Sequence, residues 1–230
     1  SAASDVYKRQ AGCNVTMPLK EAIVPLLDEV DGAAAACGAV NTVCIRAGRA
    51  VGHNTDGDGL LDSLAGQGFD PRGARVLLLG AGGAATAVCH ALTQAGAARI
   101  AVCNRSVLRA ETLAARYPGC AVAGGLGDLA RYAADSELVV NATSLGMAGC
   151  AGFDDLSFLW AAPGSATVYD LVYHPRQTAL LAAADGLGLR TVGGIDLLIR
   201  QAVRAFALLT GVEPDTEALY AALRKPLGLE

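Results

Sequence analysis

The run Gly80-Ala81-Gly82-Gly83-Ala84 directly follows the apolar segment 75–79 and opens the alanine-rich stretch 85–92. A strand that ends in closely spaced glycines and feeds a helix brings unpaired backbone N–H groups and the positive end of the helix dipole to one point. Pyrophosphates bind at such points. The glycines allow a tight turn and a close approach of ligand to backbone, and Ala85, at the third small position, lets helix pack closely on strand. The chemistry this pattern suggests is dinucleotide binding. A second apolar segment, 99–103, ends about two dozen residues further on, where the residue that reads the adenosine ribose belongs.

That second segment runs into Asn104-Arg105-Ser106, with Arg109 following. An Asp or Glu there would accept hydrogen bonds from a free ribose 2′-OH and repel a 2′-phosphate, whereas two arginines point to NADP rather than NAD. With Ser106 as the N-cap of a helix, Arg105 flanks the helix start and Arg109 lies in the first turn, so two guanidiniums can clamp one phosphate. The competing reading makes both arginines solvated surface charges.

The elements that must position these residues alternate in period. Strand-like runs at 76–79, 100–103, 138–141, 167–171 and 191–192 are separated by Ala/Leu-rich helical segments such as 84–96, 109–117 and 177–187. This is the signature of β-α-β units and a parallel sheet, whose right-handed crossovers gather all strand C-termini on one edge. On that edge fall Gly80 onward, Asn104-Arg105, 141–144 and 169–173, and ligands of open α/β sheets bind there. Upstream, a segment carrying Asn14, Thr16 and Lys20 leads into an expected helix at 18–30 and a strand pair at 40–45 and 50–53. Downstream, 195–207 and 215–223 read as amphipathic helices that return to the upstream piece.

The fold class expected is α/β: a Rossmann-like parallel-sheet NADP domain at 57–193, beside an incomplete, discontinuous α/β substrate domain at 1–56 and 194–230. The cleft lies between them.

Composition narrows the function classes. A net charge of −4, with 17% charged residues and no basic run, gives no electrostatic footprint for nucleic acid. Seven scattered cysteines without C-x-x-C pairs indicate neither a metal site nor a disulfide framework, and fit a reducing, cytoplasmic setting. The most apolar window, 77–92, is too short and glycine-rich for a membrane span. Residues 1–10 lack the apolar core of a signal peptide, look like a translated sequencing-adapter string, and are set aside as a foreign leader on a truncated gene. His53, His90 and His174 have no triad-like spacing and are given no catalytic role.

The segments 12–21, 38–42 (Gly-Ala-Val-Asn-Thr), 54–57 (Asn-Thr-Asp-Gly), 80–84, 104–106, 141–147 and 169–175 together resemble the ordered motif series of shikimate dehydrogenases. The resemblance covers Gly12 to the C-terminus. It implies NADP-dependent interconversion of 3-dehydroshikimate and shikimate in aromatic amino-acid biosynthesis, by a monomer or homodimer with a small-molecule substrate. Carried over residue by residue, it makes Lys20 and Asp56 the catalytic pair. Asn14, Thr16, Asn41, Asp56, Tyr173 and Gln201 become substrate-binding residues. Gly80, Ala81, Gly82, Gly83 and Ala84 take the pyrophosphate, while Asn104, Arg105, Ser106 and Arg109 take the adenosine phosphate. Thr143, Ser144, Leu171 and Gly194 line the nicotinamide end.

Each assignment has a plainer counterpart. Lys20, in the first turn of the expected helix, would oppose the dipole as a surface residue. Asp56 would N-cap a helix at 57–64, and Gln201 would be a satisfied interface residue. Family members also carry, ahead of the Asn-Val-Thr segment, further strands and a Ser-x-Ser pair for the substrate carboxylate. Asp196 and Leu197 stand where a small residue and Met are common. Other readings are a quinate/shikimate dehydrogenase using NAD(P), a non-catalytic NADP-binding fragment, and a glutamyl-tRNA-reductase-like enzyme; the last would need a nucleophilic cysteine and a basic surface.

Overall fold

A computed structural model describes residues 10–224, so residues 1–9 of the leader set aside above, and 225–230 of the downstream piece, lie outside the described residues. Two sheets organise the chain. The larger has six parallel strands: β5 (Arg75–Leu79), β6 (Arg99–Cys103), β7 (Ala121–Gly124), β8 (Leu138–Asn141), β9 (Thr167–Asp170) and β10 (Arg190–Val192), in the order β10-β9-β8-β5-β6-β7. Its central strands are apolar at nearly every position because both faces are covered. Val76, Leu78, Ile100, Val102, Leu138 and Val140 enter one core, and Leu77, Leu79, Ala101, Cys103 and Val139 enter the other. Alternate residues of a strand point to opposite faces, so a near-continuous apolar run is what a doubly covered parallel sheet needs. Leu77 and Leu78 are fully buried, each contributing about 1.5–3 kcal/mol relative to an exposed side chain.

The smaller sheet is mixed, with order β1-β3-β4-β2: β1 (Gly12–Asn14), β2 (Glu29–Val30), β3 (Thr42–Arg46) and β4 (Arg49–His53). The hairpin between β3 and β4 turns on Ala47 (φ 50°) and Gly48 (φ 79°), two left-handed residues that match the strand twist. Between β1 and β2 the expected helix at 18–30 does not form. The chain makes turns, then a short 3-10 segment at Val24–Leu26, and ends as β2 beside β4. Pro25 explains this, since an interior proline removes a helical donor and clashes with the preceding turn. Helix α1 (Gly32–Cys37) forms instead, with the Asp31 carboxylate capping Ala34 N at 2.7 Å and left-handed Gly38 closing its end.

Around the large sheet lie α3 (Gly83–Gln94), α4 (Val107–Ala114), α5 (Leu129–Ala133) and α6 (Ala179–Gly186). Sequence periodicity passed over β7 and α5. β7 is a four-residue edge strand, Ala-Val-Ala-Gly, with little to bury, and α5 is barely more than one turn. The connection between the two sheets is α2 (Asp56–Gly66), which packs against α3 on one side and α7 (Gly194–Thr210) on the other. From α7 the chain passes through left-handed Gly211 into α8 (Thr216–Arg224). α7 also reaches the small sheet, where its Leu208 carbonyl accepts from Arg46 Nη2 at 3.4 Å. Among the described residues no helix is long and apolar enough to cross a membrane.

Two glycines let α2 be gripped from both sides. A Cβ on Gly57 would lie 2.9 Å from Ala91 Cβ in α3, and one on Gly59 would lie 2.9 Å from Gln201 N and 3.0 Å from Gln201 Cβ in α7. Gly59→Ala therefore gains helix propensity but forces α7 outward. Overpacking should prevail, with a net loss of about 1–2 kcal/mol and a melting temperature a few degrees lower by calorimetry.

Candidate active site

Lys20 is held at the small sheet by the backbone. Val15 N donates to Asn41 O at 2.7 Å, and Val40 N donates to Lys20 O at 2.8 Å, so the 15–20 segment lies alongside 40–41. Lys20 sits in a turn rather than a helix, and no dipole opposes its ammonium. Its Nζ donates to Asp56 Oδ2 at 2.6 Å, with the lysine side chain 16% and the aspartate 9% exposed. Asp56 is the first residue of α2, where the dipole favours a carboxylate. The residue preceding the helix is Thr55, so Asp56 lies one position inside the place expected for an N-cap.

Asn41 organises the pair. Its Nδ2 donates to Asp56 Oδ1 and to Thr55 Oγ1, each at 2.9 Å. Its Oδ1 accepts from Thr55 N at 3.0 Å and Thr42 Oγ1 at 2.9 Å. Gln201 joins from α7, its Oε1 lying 3.4 Å from Asn41 Nδ2. Asn14 Nδ2 donates to Thr42 Oγ1 at 3.4 Å, so Asn14, Asn41, Asp56, Lys20 and Gln201 form one connected group. Thr16 and Tyr173 are exposed, and neither has a described hydrogen bond to that group. Three residues were not singled out from sequence: Thr42, Thr55 and Asn54. Asn54 accepts from Asp56 N at 3.0 Å and donates to Ala39 O at 2.8 Å, fixing the start of α2. The Asn-Thr-Asp-Gly quartet carries the signal for two of them, since Asn54 and Thr55 directly precede the carboxylate.

The glycine turn stands beside this group. A Cβ on Gly83 would lie 3.3 Å from Ala39 Cβ and 3.7 Å from Lys20 Cβ. Gly80 has φ +112°, donates to Cys103 O at 2.9 Å, and a Cβ there would crowd Ala142 O at 3.0 Å and Thr143 Cγ2 at 3.1 Å. The turn thus sits at the C-terminal ends of β5 and β8, where strand order reverses and ligands of such sheets bind. Ala81, Gly82 and Ala84 complete the turn into α3, whose first N–H groups have no intrahelical acceptor.

At the end of β6, Arg105 and Arg109 are exposed and have no acidic partner among the described residues. Ser106 occupies the N-cap position of α4, but its side chain makes no capping bond. Asn104 Nδ2 instead donates to Ser106 O at 3.0 Å. A cavity of about 260 Å³ lies beside the turn, lined by Ala81, Thr86 and Arg109 together with Glu21 and Gly38 of the small-sheet side. Arg116 bridges the same two sides, donating to the Cys37 carbonyl at 3.2 Å and to the Ala36 carbonyl. A larger groove of about 740 Å³ runs behind Asn54 and Thr55, between α2 and α7, and does not include Lys20 or Asp56. On the other side of the turn, Thr143 and Ser144 follow β8 and Leu171 follows β9. Gly194 opens α7 so close to the Leu171 carbonyl that a Cβ would collide with it.

The Asn41 amide, 2.9 Å from Asp56 Oδ1, makes Asn41→Asp a direct electrostatic test. The substitution takes a donor away from Asp56 Oδ1 and sets a second carboxylate against it, a like-charge contact that costs most when both groups are ionised. Urea melts should show this variant near wild-type stability at low pH and roughly 1–3 kcal/mol weaker at neutral pH.

The sequence matches three family descriptions in chain order: "Shikimate dehydrogenase substrate binding domain" over residues 2–43, "Shikimate / quinate 5-dehydrogenase" over 63–147, and "Shikimate 5'-dehydrogenase C-terminal domain" over 194–224. The first of these begins inside the stretch set aside as a leader. A shikimate dehydrogenase (NADP(+)) of Moorella thermoacetica is 44% identical over 223 residues, which are 94% of this chain and 75% of that protein. One from Geobacter sp. strain M21 is 44% identical, covering 92% and 75%. Among solved structures, shikimate 5-dehydrogenase of Thermus thermophilus in complex with NADP(H) and shikimate superposes with a TM-score of 0.83 at 37% identity, over 96% of this chain and 81% of that one. Quinate dehydrogenase of Corynebacterium glutamicum in complex with NAD gives 0.84 at 36% identity, over 97% and 80%. With the three descriptions in register and relatives this similar over nearly its whole length, the chain belongs to the shikimate dehydrogenase family.

Proposed function

We propose that this protein catalyses the NADP-dependent, reversible reduction of 3-dehydroshikimate to shikimate, with Lys20 exchanging the proton and Asp56 holding it in place. The observation that carries this reading is the 2.6 Å contact of Lys20 Nζ with Asp56 Oδ2, next to the glycine turn at Gly83. The residues present fit NADP. The glycine cradle at 80–83 would be filled by side chains, α3 offers its free N–H groups, and Arg105 and Arg109 are free to take a 2′-phosphate.

Bound NADP(H) accepts or supplies the hydride. In the reducing direction the Lys20 ammonium donates a proton to the carbonyl oxygen as negative charge develops on it; in the oxidising direction the neutral amine takes the hydroxyl proton. Asp56 fixes the ammonium, and Asn41 occupies the other carboxylate oxygen, so Asp56 cannot swing away from Lys20. Asn14, Thr16, Tyr173 and Gln201 complete a set of donors and acceptors suited to a small polyhydroxylated acid. We assign 1–56 and 194–230 to substrate binding and 57–193 to the cofactor, in a cytoplasmic monomer or homodimer. Seven free thiols accord with a reducing compartment.

A second reading, quinate oxidation with NAD, is favoured by the TM-score of 0.84 to a quinate dehydrogenase in complex with NAD. Arg105 and Arg109 weigh against it. Assays with each substrate and each nucleotide decide. Shikimate-dependent NADP reduction is expected. Faster turnover of quinate with NAD would replace the reading, and cofactor binding with no turnover would leave only a nucleotide-binding module.

Lys20→Ala should lower kcat by about 10²–10⁴-fold while moving the KM for shikimate far less, as steady-state kinetics would show. Arg105→Ala or Arg109→Ala should weaken NADPH binding by about 10–100-fold and leave NADH binding unchanged, measured by nucleotide fluorescence titration.

A further inference from the structure

At the ends of β8 and β9, Asn141 and Asp170 face each other in register, and both are fully buried. Asp170 Oδ1 accepts from Asn141 Nδ2 at 2.8 Å and from Val172 N at 3.0 Å, and its Oδ2 accepts from Thr178 Oγ1 at 2.6 Å. Three donors converge on a group that gives nothing back, which suits an ionised carboxylate and not an amide. Burial pushes this carboxyl above its ordinary value, opposed by those three hydrogen bonds. A charge kept in such a place is costly, and a well-packed apolar pair would fill the space at least as stably.

What the charge does is join two loops. Asn141 Oδ1, the far end of the same pair, accepts from Thr143 N at 3.1 Å and Thr143 Oγ1 at 2.6 Å, and Thr143 Oγ1 in turn accepts from Leu145 N at 3.1 Å. The loop after β8 is shaped around that amide and pressed against Gly80 of the phosphate turn. On the other side, Val172 N bends the chain back onto Asp170 while Val172 O accepts from Gly194 N at 3.3 Å. Thr178, the third donor, caps α6 through Leu181 N at 3.2 Å. We propose that Asp170 is a positioning residue for the nicotinamide end of the cofactor: its carboxylate sets the spacing of the 143–145 and 171–172 loops between which the ring must lie. This rests on the reading of Thr143, Ser144, Leu171 and Gly194 as nicotinamide-side residues.

The test uses Asp170→Asn and, as a milder change that keeps the carboxylate, Thr178→Val. Residue-resolved hydrogen exchange should show protection at Thr143, Leu145 and Val172 reduced by about tenfold or more, with Thr55 and the centre of β5 unchanged. NADPH titration should weaken by about tenfold, and kcat should fall while the KM for shikimate stays within about twofold, since a misplaced reacting group loses rate before it loses substrate. If Asp170→Asn does not fold, Thr178→Val gives the same readings at smaller amplitude. Unchanged NADPH affinity in a folded variant would overturn the proposal, as would protection lost equally across the sheet. Exchange and titration need no turnover, so a wild-type protein inactive on shikimate would sink the reaction assigned above and leave this inference standing or falling on its own data.

Discussion

One ion pair governs this architecture: Lys20 and Asp56, 36 positions apart in the chain and 2.6 Å apart in space. Partly burying two charges costs several kcal/mol of hydration, which mutual attraction repays only when geometry is good and the remaining lone pairs are used. Both conditions are met. Asn41 takes the second carboxylate oxygen, and the carboxylate sits in the first turn of α2, where the dipole favours it. The backbone bonds between 15–20 and 40–41 then bring Lys20 to it. The ammonium and the carboxylate are thus held in a fixed mutual geometry before any ligand arrives, the kind of preorganisation that electrostatic stabilisation of developing charge requires.

Around that pair the molecule is built by close approach. Gly57 and Gly59 put α2 within backbone distance of α3 and α7, and α7 delivers Gln201 to Asn41. Gly83 lets the glycine turn stand against Lys20 and Ala39, while Gly80 and Gly194 let the post-β8 and post-β9 loops close on the turn and on α7. At Gly57, Gly59 and Gly194 an added methyl group would lie under 3.0 Å from its neighbours and force the packed elements apart. Buried polar networks do the fine positioning: Asn41 with Thr42 and Thr55 at the small sheet, and Asn141 with Asp170 and Thr178 at the ends of β8 and β9.

The large-sheet half was largely legible in the sequence, because a parallel sheet buried on both faces writes itself as apolar runs and the turn after its first strand as glycines. β5, β6, β8 and β9 fell where the runs stood. The small-sheet half was less so. The stretch 18–30 carries helix-like spacing of apolar residues, yet Pro25 and the pairing of Glu29–Val30 with β4 prevail over it. β7 and α5 escaped because an edge strand and a single turn bury too little to impose a period. Ser106 was placed correctly as the residue before α4, but the capping interaction expected of its hydroxyl is absent.

The sequence by itself determined which groups are on offer: a glycine turn between strand and helix, two arginines after the next strand, and a lysine and an aspartate in recognisable surroundings. These are local facts, set by residue type and spacing over a few positions. Only the tertiary structure decided that Lys20 and Asn41 both meet Asp56, that Gln201 arrives from α7, and that Asp170 meets Asn141 across two strands. Such partners are distant in sequence, and side-chain hydrogen bonds between them depend on helix packing and strand register to within about an ångström, which no local pattern records.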